Sequence, residues 1–499
     1  MRKPGPRKRT RASRLLRGAV FRLAAVVLGL SPFVLAEGLF AVLDWGRPTY
    51  EDDPFVGFQG VHPLFVPGAD GSRYEIAKSR REFFQPDSFS SEKRPGEFRV
   101  FCLGGSTVQG RPFAAETSFP TWLELSLRAA DPQRRWEAVN CGGISYASYR
   151  LVPILEEVLG HQPDLIVLYT GHNEFLEDRS YAHIKRIPGI VAAPVGWVSS
   201  TRTYTLLRKA YVGLRGSSSQ EPPEGRPVLE AEVDAILEHP DGLEEYERDE
   251  KWREDTVDHF RYNLRRMIAM ADDAGVPLWL VNPVCRLRDC PPFKAQHRDG
   301  ITAEEERQWD GLVEQAVELR KTDVRRAVAL LQEALEIDDR HAGARYLLAT
   351  WYDAQGMADE ARRSYLRAKE LDVCPLRIIE PMSEAILEVA GETDTPLIDV
   401  RAMFAGLCDG GIPDGRFLLD HVHPSIRGHQ MIAEWLTDEF VDRGLLEPVS
   451  GWKEGRSRVF RRHLDSLDNV YFDKGTQRQE MLRRWTQGRA AEFGIQPPR

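Results

Sequence analysis

The sequence has few cysteines, and no spacing among them indicates a disulfide framework or a zinc site. Six cysteines are spread over 499 residues, whereas small disulfide scaffolds concentrate theirs in a short chain. Cys285 and Cys290 flank a short polar loop and could pair in an oxidising compartment, but their spacing leaves this open. The composition also lacks the signatures of collagen, disordered chains and multi-span membrane proteins, which excludes those classes.

Positive charge is concentrated at the start of the chain and is in deficit elsewhere. Residues 1–17 carry eight Lys and Arg and no acid; without those charges the formal net charge of -9 becomes -17. A basic run of this kind can bind nucleic acid or an anionic surface. The acidic remainder has no second basic patch, which argues against nucleic acid as a partner.

A long apolar run, LAAVVLGLSPFVLAEGLFAVL, follows the basic residues. About 20 apolar residues let a helix cross the hydrocarbon layer, and a positive flank stays in the cytoplasm. The sequence therefore predicts a basic cytoplasmic tail over 1–22, a transmembrane signal anchor over 23–43 and a body on the periplasmic or extracellular side. Pro32 and Glu37 weaken the span, since an acid near mid-membrane is costly. The alternative is a signal peptide cleaved near 34–36, which would make the protein secreted.

Five short apolar runs recur after a lead-in over 46–97 that has the composition of irregular structure. They are FRVFCLG from Phe98, EAVNCG from Glu137, DLIVLYTG from Asp164, VPLWLVNP from Val276 and TPLIDV from Thr395. Continuous apolar strands of this length suit a parallel sheet buried on both faces, and stretches compatible with helices lie between them. The alternation predicts an open, doubly wound α/β sheet that binds ligands at the carboxyl ends of its strands.

Two regions interrupt this alternation. Residues from about 180 to 250 are partly rich in Pro, Gly and Ser and indicate a long excursion. Between the fourth and fifth predicted strands, five residues recur with a period of 34. Ala327, Leu331, Ala334, Ile337 and Asp338 are echoed by Ala361, Tyr365, Ala368, Leu371 and Asp372. This period is typical of tetratricopeptide helix pairs, and an ordinary helical hairpin is the alternative.

These patterns predict how the chain is divided. The α/β domain has a first part over 98–300 and a second part over 375–445. A tetratricopeptide-like insertion over 303–373 separates the two parts, and a helical tail over 446–499 follows them.

Ser106 lies just beyond the first predicted strand, in the sequence LGGSTVQG. A serine at a strand-to-helix turn exposes its hydroxyl and directs its backbone N–H forward, as a nucleophile requires. Gly104 and Gly105 permit the tight turn, although position 108 is Val, so the sequence is not a G-x-S-x-G elbow. Taken alone, the motif also fits a helix cap or a phosphate-binding loop.

The sequence LLDHVHPSIRGHQ follows the fifth predicted strand. Asp420 lies three residues before His423, a spacing that lets a carboxylate reach the second ring nitrogen of the histidine. Such a contact fixes the tautomer and stabilises the imidazolium that forms in catalysis. Taken alone, His421, His423 and His429 also fit capping histidines, surface histidines or a metal site.

The second and third predicted strands end in sequences that can supply hydrogen-bond donors. The second ends in NCGGISYASYR, a Gly-rich turn whose backbone N–H groups could face a developing oxyanion. The third ends in YTGHNEF, which places the Asn173 amide at the same edge of the sheet. Donors of this kind stabilise a transition state because they are already oriented toward the developing charge.

In chain order these sequences resemble the four blocks of the SGNH/GDSL hydrolase superfamily. The blocks are GxSxxxG at Gly104–Gly110, the Gly-rich turn, GxNE at Gly171–Glu174 and DxxH at Asp420–His423. The resemblance implies a flavodoxin-like three-layer α/β/α sandwich with a parallel sheet. It also implies ester hydrolysis through an acyl-serine intermediate, with no metal or organic cofactor.

The resemblance implies a role for each matched residue. Ser106 would be the nucleophile, His423 the general base and Asp420 the residue that orients it. The oxyanion hole would combine the Ser106 N–H, the Asn173 side chain and a backbone N–H of the turn at 142–145.

Two departures from the family pattern affect this assignment. The first block reads GGS instead of GDS, which removes an aspartate but keeps the nucleophile. The second block has no single glycine that matches the family's donor, so Gly142, Gly143 and Ser145 remain competing candidates. His172 and His421 are interpreted as bystanders.

The sequence thus predicts a membrane-anchored serine esterase that acts on acyl esters, above all acetyl esters, of envelope or extracellular glycans. One alternative is an acyltransferase that uses the same triad. Another is a non-catalytic scaffold whose repeats bind a protein partner. Because Ser106, Asn173, Asp420 and His423 are all present, the sequence favours an enzyme over a degenerate scaffold.

Overall fold

The protein is described here by a computed structural model. It describes residues 28–29, 31–40, 42–43, 45–46, 51, 53, 55–177, 201–214, 227–239 and 242–487. The chain forms two compact units, one comprising Met1–Gly57 and Ala182–Arg226, the other Phe58–Tyr181 and Pro227–Arg499.

The secondary structure of the described residues is numbered in chain order. The strands are β1 (Gly57–Phe58), β2 (Phe65–Pro67), β3 (Arg73–Ile76), β4 (Ser88–Ser90), β5 (Glu97–Gly104), β6 (Arg135–Gly142), β7 (Leu165–Tyr169), β8 (Val228–Leu229), β9 (Leu278–Val281) and β10 (Leu397–Ile398). The first helices are α1 (Ser106–Gln109), α2 (Phe119–Ala130), α3 (Ser148–Leu159), α4 (Arg202–Leu214), α5 (Glu250–Asp273), α6 (Ala303–Leu319) and α7 (Val324–Ile337). The remaining helices are α8 (Ala342–Ala354), α9 (Ala358–Glu370), α10 (Glu380–Thr393), α11 (Val400–Leu407), α12 (Ile426–Asp442), α13 (Trp452–Asp465) and α14 (Asn469–Gln487).

The smaller unit includes part of the predicted membrane span. Residues 31–40 are helical, and the Glu37 carboxylate accepts hydrogen bonds from the Arg202 N–H at 2.7 Å and the Thr203 N–H at 2.9 Å. The acid that weakens the predicted span therefore caps the start of α4. The basic tail and residues 23–27, 30 and 41 lie outside the described residues. Within the part of the chain that is described, no helix is both long and apolar enough to cross a membrane.

A five-stranded parallel sheet forms the centre of the larger unit. Its spatial order is β10-β9-β7-β5-β6, and each neighbouring pair is parallel. Numbered by their order along the chain, these strands run 2-1-3-4-5 across the sheet, the order of flavodoxin-like folds. All five predicted strands are present, and the prediction of an open parallel α/β sheet is confirmed.

Helices cover both faces of this sheet. Val100 and Cys102 of β5 are buried in one cluster with residues of α2 and α12. On the other face, α5 and α10 pack against each other and against β9, while α3 packs against α5 and β5. The apolar character of the strands follows from this arrangement, because both faces of a three-layer sandwich are removed from water.

The lead-in over 46–97 is more regular than its composition predicts. β2, β3 and β4 form an antiparallel sheet in the order β2-β3-β4. Phe65 and Phe89 are buried, with their ring centroids 4.9 Å apart, and the Phe89 ring lies 5.2 Å from that of Phe101 on β5. The interpretation as irregular structure was wrong because strands of three or four residues give too short an alternation to detect. Their stability comes from packing against the central sheet.

Four helices, α6 to α9, occupy the predicted insertion between β9 and β10, and α6 packs on α7 as α8 packs on α9. The small residues of the repeat, Ala327, Ala334, Ala361 and Ala368, are buried. Their assignment to the tetratricopeptide family stays a prediction.

The aspartates that end the two helix pairs have matching environments. Asp372 accepts hydrogen bonds from the N–H groups of Phe293, at 2.8 Å, and Lys294, at 3.0 Å. Asp338 accepts one from the Arg298 N–H at 3.2 Å and lies 2.7 Å from the His297 ring. One short segment, residues 293–298, is therefore bound to the end of both helix pairs.

Candidate active site

Ser106 is the first residue of α1, at the carboxyl end of β5, which lies between β7 and β6 in the sheet. Its N–H is at the N-terminus of a helix, where backbone donors have no acceptor within the helix. A Cβ atom on Gly105 would lie 2.5 Å from Nδ2 of Asn173. Glycine before the serine therefore lets the third block approach the nucleophile closely.

The structure brings together the three residues of the predicted triad. Ser106 Oγ lies 2.7 Å from His423 Nε2, and His423 Nδ1 lies 2.7 Å from Asp420 Oδ2. Ser106 and His423 are 317 residues apart in the chain, yet both lie at the carboxyl edge of the sheet. The two distances form a continuous hydrogen-bond chain from carboxylate to hydroxyl, the arrangement that activates a serine.

The loop that carries Asp420 and His423 is held by its own backbone. Asp420 Oδ1 accepts hydrogen bonds from the N–H groups of Val422, at 3.0 Å, and His423, at 2.9 Å. Burial alone would raise the pKa of Asp420, but the adjacent His423 and His421 and these hydrogen bonds lower it below its ordinary value. The carboxylate therefore stays ionised beside the imidazole.

The Gly-rich turn after β6 offers one available backbone donor. The Gly142 N–H donates to Asn140 Oδ1 at 2.9 Å, and the Gly143 N–H donates to the Gly104 carbonyl at 3.0 Å. Ser145 has a φ of 62°, and its N–H has no acceptor among the residues the structure describes. Of the three competing candidates, Ser145 is therefore the one whose N–H is free to bind an oxyanion.

Asn173 lies against the same turn. Its Nδ2 donates to the Tyr146 carbonyl at 3.0 Å, and an amide nitrogen carries a second hydrogen that remains available. The N–H groups of Ser106 and Ser145 and the Asn173 side chain are therefore the candidate donors of an oxyanion hole, which combines oriented backbone and side-chain donors.

The other histidines of the motifs are buried and are not members of this chain of bonds, although His421 Nδ1 lies 3.5 Å from Asp420 Oδ1. His172 Nδ1 accepts a hydrogen bond from the Ile378 N–H at 3.2 Å, and burial lowers its pKa. The His421 ring packs edge-on against Phe293 at 5.2 Å, and burial lowers its pKa to about 4. Burial likewise lowers the pKa of His429 to about 3. All three are neutral at pH 7 and suit packing positions.

Two residues that support the site gave little signal in the sequence. Asn140 Nδ2 donates to the Val108 carbonyl and to Ser118 Oγ, both at 3.0 Å, while its Oδ1 accepts from Gly142. It therefore connects α1 to the Gly-rich turn. Glu174 accepts hydrogen bonds from the Ser148 N–H at 2.7 Å and Ser148 Oγ at 2.9 Å, so it holds the start of α3. Asn140 begins the second sequence block and Glu174 ends the third, and this membership was the available clue.

Cys285 and Cys290 are buried free thiols. No group of three or more His, Cys, Asp or Glu side chains is placed to hold a metal ion within the described ranges.

No protein-family model and no curated protein sequence matches the chain. Similar solved structures include the acetylxylan esterase Axe2 from Geobacillus stearothermophilus, with 13% identity, a TM-score of 0.30 and coverage of 68% of this chain and 93% of that protein. A lipase/acylhydrolase from Enterococcus faecalis matches with 13% identity, a TM-score of 0.32 and coverage of 71% and 100%. A lipolytic protein of the G-D-S-L family from Desulfitobacterium hafniense matches with 11% identity, a TM-score of 0.29 and coverage of 68% and 98%.

Proposed function

We propose that the chain is a serine esterase of the SGNH/GDSL type. The observation that carries the proposal is the unbroken contact from Asp420 through His423 to Ser106, with 2.7 Å at each step. A buried carboxylate, an imidazole and a hydroxyl in this order produce a nucleophilic serine at neutral pH. The free N–H of Ser145 and the Asn173 amide support acyl transfer in particular, because that chemistry develops an oxyanion.

Each residue has a defined part in the proposed reaction. His423 Nε2 takes the proton of Ser106 Oγ as that oxygen attacks the ester carbonyl carbon. The tetrahedral oxyanion accepts hydrogen bonds from the Ser106 and Ser145 N–H groups and from Asn173. As the intermediate collapses, the C–O bond to the alcohol breaks and His423 protonates the leaving oxygen. Water then attacks the acyl-serine by the same route and releases the acid.

We propose acetyl esters on envelope or extracellular glycans as the substrates. The proposal is supported by the predicted N-terminal anchor, which would hold the acidic body outside the cytoplasm near such glycans. Alkaline extraction of membranes from cells that express the full chain tests the anchor. Release of the intact protein into the soluble fraction would contradict it.

Labelling with a fluorophosphonate probe tests the esterase proposal. Wild-type protein should be labelled stoichiometrically, whereas Ser106→Ala and His423→Ala should not be labelled. The exposed Ser457 and His62 provide matched controls, since Ser457→Ala and His62→Ala remove the same side chains elsewhere and should label normally. A folded wild-type protein that is not labelled between about pH 6 and 9, where a triad histidine is active, would favour a binding scaffold.

Turnover assays then separate hydrolysis from transfer. An esterase releases acid from an acetylated sugar or from para-nitrophenyl acetate without any acceptor other than water. An acyltransferase turns over only when a sugar hydroxyl is supplied as acceptor. The same Ser106→Ala variant should abolish either activity.

We propose a second function for the helix pairs, the binding of a basic peptide segment. A groove of about 660 Å³ lies between α6 and α8. Its apolar floor includes Trp309, Val313 and Leu347. Asp310, Glu314 and Glu318 lie along its edge at a spacing of four residues, all exposed, and none forms an ion pair with another described residue. Since α-helical residues four apart share a face, this row of carboxylates complements a segment that carries Lys or Arg beside an apolar side chain.

Fluorescence anisotropy of the full chain tests this binding. A labelled peptide of lysine and leucine should bind, and a matched peptide of glutamate and leucine should not. Glu314→Lys with Glu318→Lys should weaken binding at least about tenfold, as expected when charge complementarity becomes repulsion. Glu304→Lys with Glu306→Lys makes the same charge change on α6 outside the groove and should have a smaller effect. Equal losses in the two double variants would show that only net charge matters and would overturn the assignment.

A further inference from the structure

Tyr146, the residue after the proposed oxyanion donor Ser145, is bound at its hydroxyl by two charged side chains. Arg80 Nη2 donates to the Tyr146 hydroxyl at 2.5 Å, and that hydroxyl donates to Glu232 Oε2 at 2.9 Å. Arg80 Nε also lies 2.9 Å from Glu232 Oε1. Tyr146 and Arg80 are each 2% exposed. The three side chains form a closed cluster drawn from three distant segments of the chain.

Glu232 is itself held in place through its backbone. Arg150 Nη2 donates to the Glu232 carbonyl at 2.9 Å, and Arg150 Nη1 donates to the Glu230 carbonyl at 3.2 Å. Arg150 is in turn paired with the buried carboxylate of Glu177, with Nη2 and Oε1 2.5 Å apart. Glu232, whose carboxylate accepts the hydrogen bond from the Tyr146 hydroxyl, is therefore part of an ordered network.

The other end of Tyr146 contacts the proposed oxyanion hole. Its carbonyl accepts the hydrogen bond from Asn173 Nδ2, and its N–H donates to the Gly143 carbonyl at 3.3 Å. Its ring lies so close to Gly143 that a Cβ there would be 2.7 Å from Tyr146 Cδ2. The Phe84 ring packs against it edge-on at 4.8 Å. Tyr146 is therefore bonded to one proposed donor, Asn173, and is the chain neighbour of the other, Ser145.

We infer that Tyr146 is a positioning residue, through which Arg80 and Glu232 fix the Ser145 N–H and the Asn173 amide in the geometry that binds the oxyanion. This inference rests on the proposed esterase function. Ser145 lies in the left-handed region, which is unfavourable for a residue with a side chain. The fixed tyrosine holds the turn in that conformation, so that neither donor has to reorganise when charge develops.

The Tyr146 hydroxyl can be removed without leaving a buried charge unpaired. In Tyr146→Phe, Arg80 and Glu232 remain paired with each other, so no isolated buried ion results. Burial raises the pKa of the Tyr146 hydroxyl, so the group is neutral throughout an assay range of pH 6 to 9. A change in activity would then report a change in position, and the pH profile of kcat should keep its shape.

Tyr365→Phe is the matched control. Tyr365 is similarly buried, at 3%, and its hydroxyl also donates to a carboxylate, Asp353 Oδ2, at 3.3 Å. It lies on α9, within the helical insertion, and its hydroxyl contact is outside the network of Arg80, Glu232 and Arg150. Both variants lose a similar hydrogen bond, so thermal unfolding should be affected to a similar extent.

The test is steady-state hydrolysis of para-nitrophenyl acetate by the full chain, together with the rate of fluorophosphonate labelling. Tyr146→Phe should lower kcat about tenfold with little change in KM, the pattern expected when only transition-state binding is lost. Tyr365→Phe should leave kcat near the wild-type value. With Asn173→Ala already present, Tyr146→Phe should lower kcat less than it does in the wild type, because the part of its effect that acts through the Asn173 amide is already lost.

Three results would overturn the inference. These are equal kcat losses in Tyr146→Phe and Tyr365→Phe, a loss confined to KM, or full additivity with Asn173→Ala. A wild-type protein that neither hydrolyses the ester nor reacts with the probe would instead contradict the proposed function, and the inference would fall with it. The two failures are therefore distinguishable in the same experiment.

Discussion

The two halves of the candidate site are built differently. The acid–base half is local, since Asp420 and His423 are three residues apart and share one loop fixed by its own N–H groups. The oxyanion half is assembled from distant segments, with Ser145 on one turn, Asn173 on another, and Arg80 and Glu232 bound to Tyr146 between them. A local pair keeps its geometry as long as its loop folds. An assembled set depends on how several segments pack.

The largest effect on activity should come from a substitution in the acid–base half. Asp420→Asn removes the charge that orients His423 and should lower kcat about 10⁴-fold, as expected when the imidazole takes the wrong tautomer. Folding should be largely kept, because Asn can still accept the backbone hydrogen bonds made to Oδ1. Ester turnover is the measurement, with circular dichroism as the check on folding. A loss of less than about tenfold would contradict the assigned role, since it lies far below the loss expected for a triad acid.

The pH dependence of stability provides a second test of Asp420. Its pKa is lowered in the folded protein, so its contribution to stability is fully present above the ordinary carboxyl value of about 3.9. That contribution is lost as pH falls from there through the depressed folded pKa. The difference in unfolding free energy between wild type and Asp420→Asn should therefore shrink below about pH 4, as measured by urea denaturation. A difference that stays constant with pH would contradict the lowered pKa.

Loss of Asn173, the side-chain donor of the oxyanion half, should give the next largest effect. Asn173→Ala should lower kcat by about 10²–10³-fold with little change in KM, the range typical of losing one oxyanion donor. Gly105→Ala should have a related effect, because its Cβ would lie 2.5 Å from Asn173 Nδ2 and displace the amide. Normal kcat in both variants would remove Asn173 from the site.

The backbone donor can be probed through its conformation. Ser145→Gly keeps the N–H and accommodates the φ of 62°, so kcat should be retained. Ser145→Val also keeps the N–H, but a β-branched residue is strained in this region, and a displaced donor should lower kcat by up to about 10²-fold. Equal activity in the two variants would show that the position of the Ser145 N–H does not matter.

The smallest effect on activity should come from Glu174, the neighbour of Asn173. Glu174→Gln weakens the bonds to Ser148 at the start of α3 and should cost about 1–3 kcal/mol of stability. Turnover measured well below the unfolding transition should fall much less than in Asn173→Ala. A greater loss of kcat than of stability would move Glu174 from a structural to a catalytic role.

The same contrast explains what could be predicted from the sequence. The five strands and the DxxH pair are short-range patterns, and the structure contains all five strands in a parallel sheet. The choice among Gly142, Gly143 and Ser145 depends on which N–H groups are already bonded, to Asn140 and Gly104, and no local pattern records such bonds. Arg80 and Glu232 left no signal because they reach Tyr146 from 66 and 86 residues away.

The segment that binds both helix pairs limits how the insertion can change in evolution. Arrays of helical repeats usually gain or lose units by duplication, because each unit contacts only its neighbours. Here residues 293–298 reach from Asp372 at the end of the second pair to Asp338 at the end of the first. A unit duplicated between the pairs would move these carboxylates apart and break one set of bonds. The number of helix pairs in the insertion is thus limited by a segment that lies outside it.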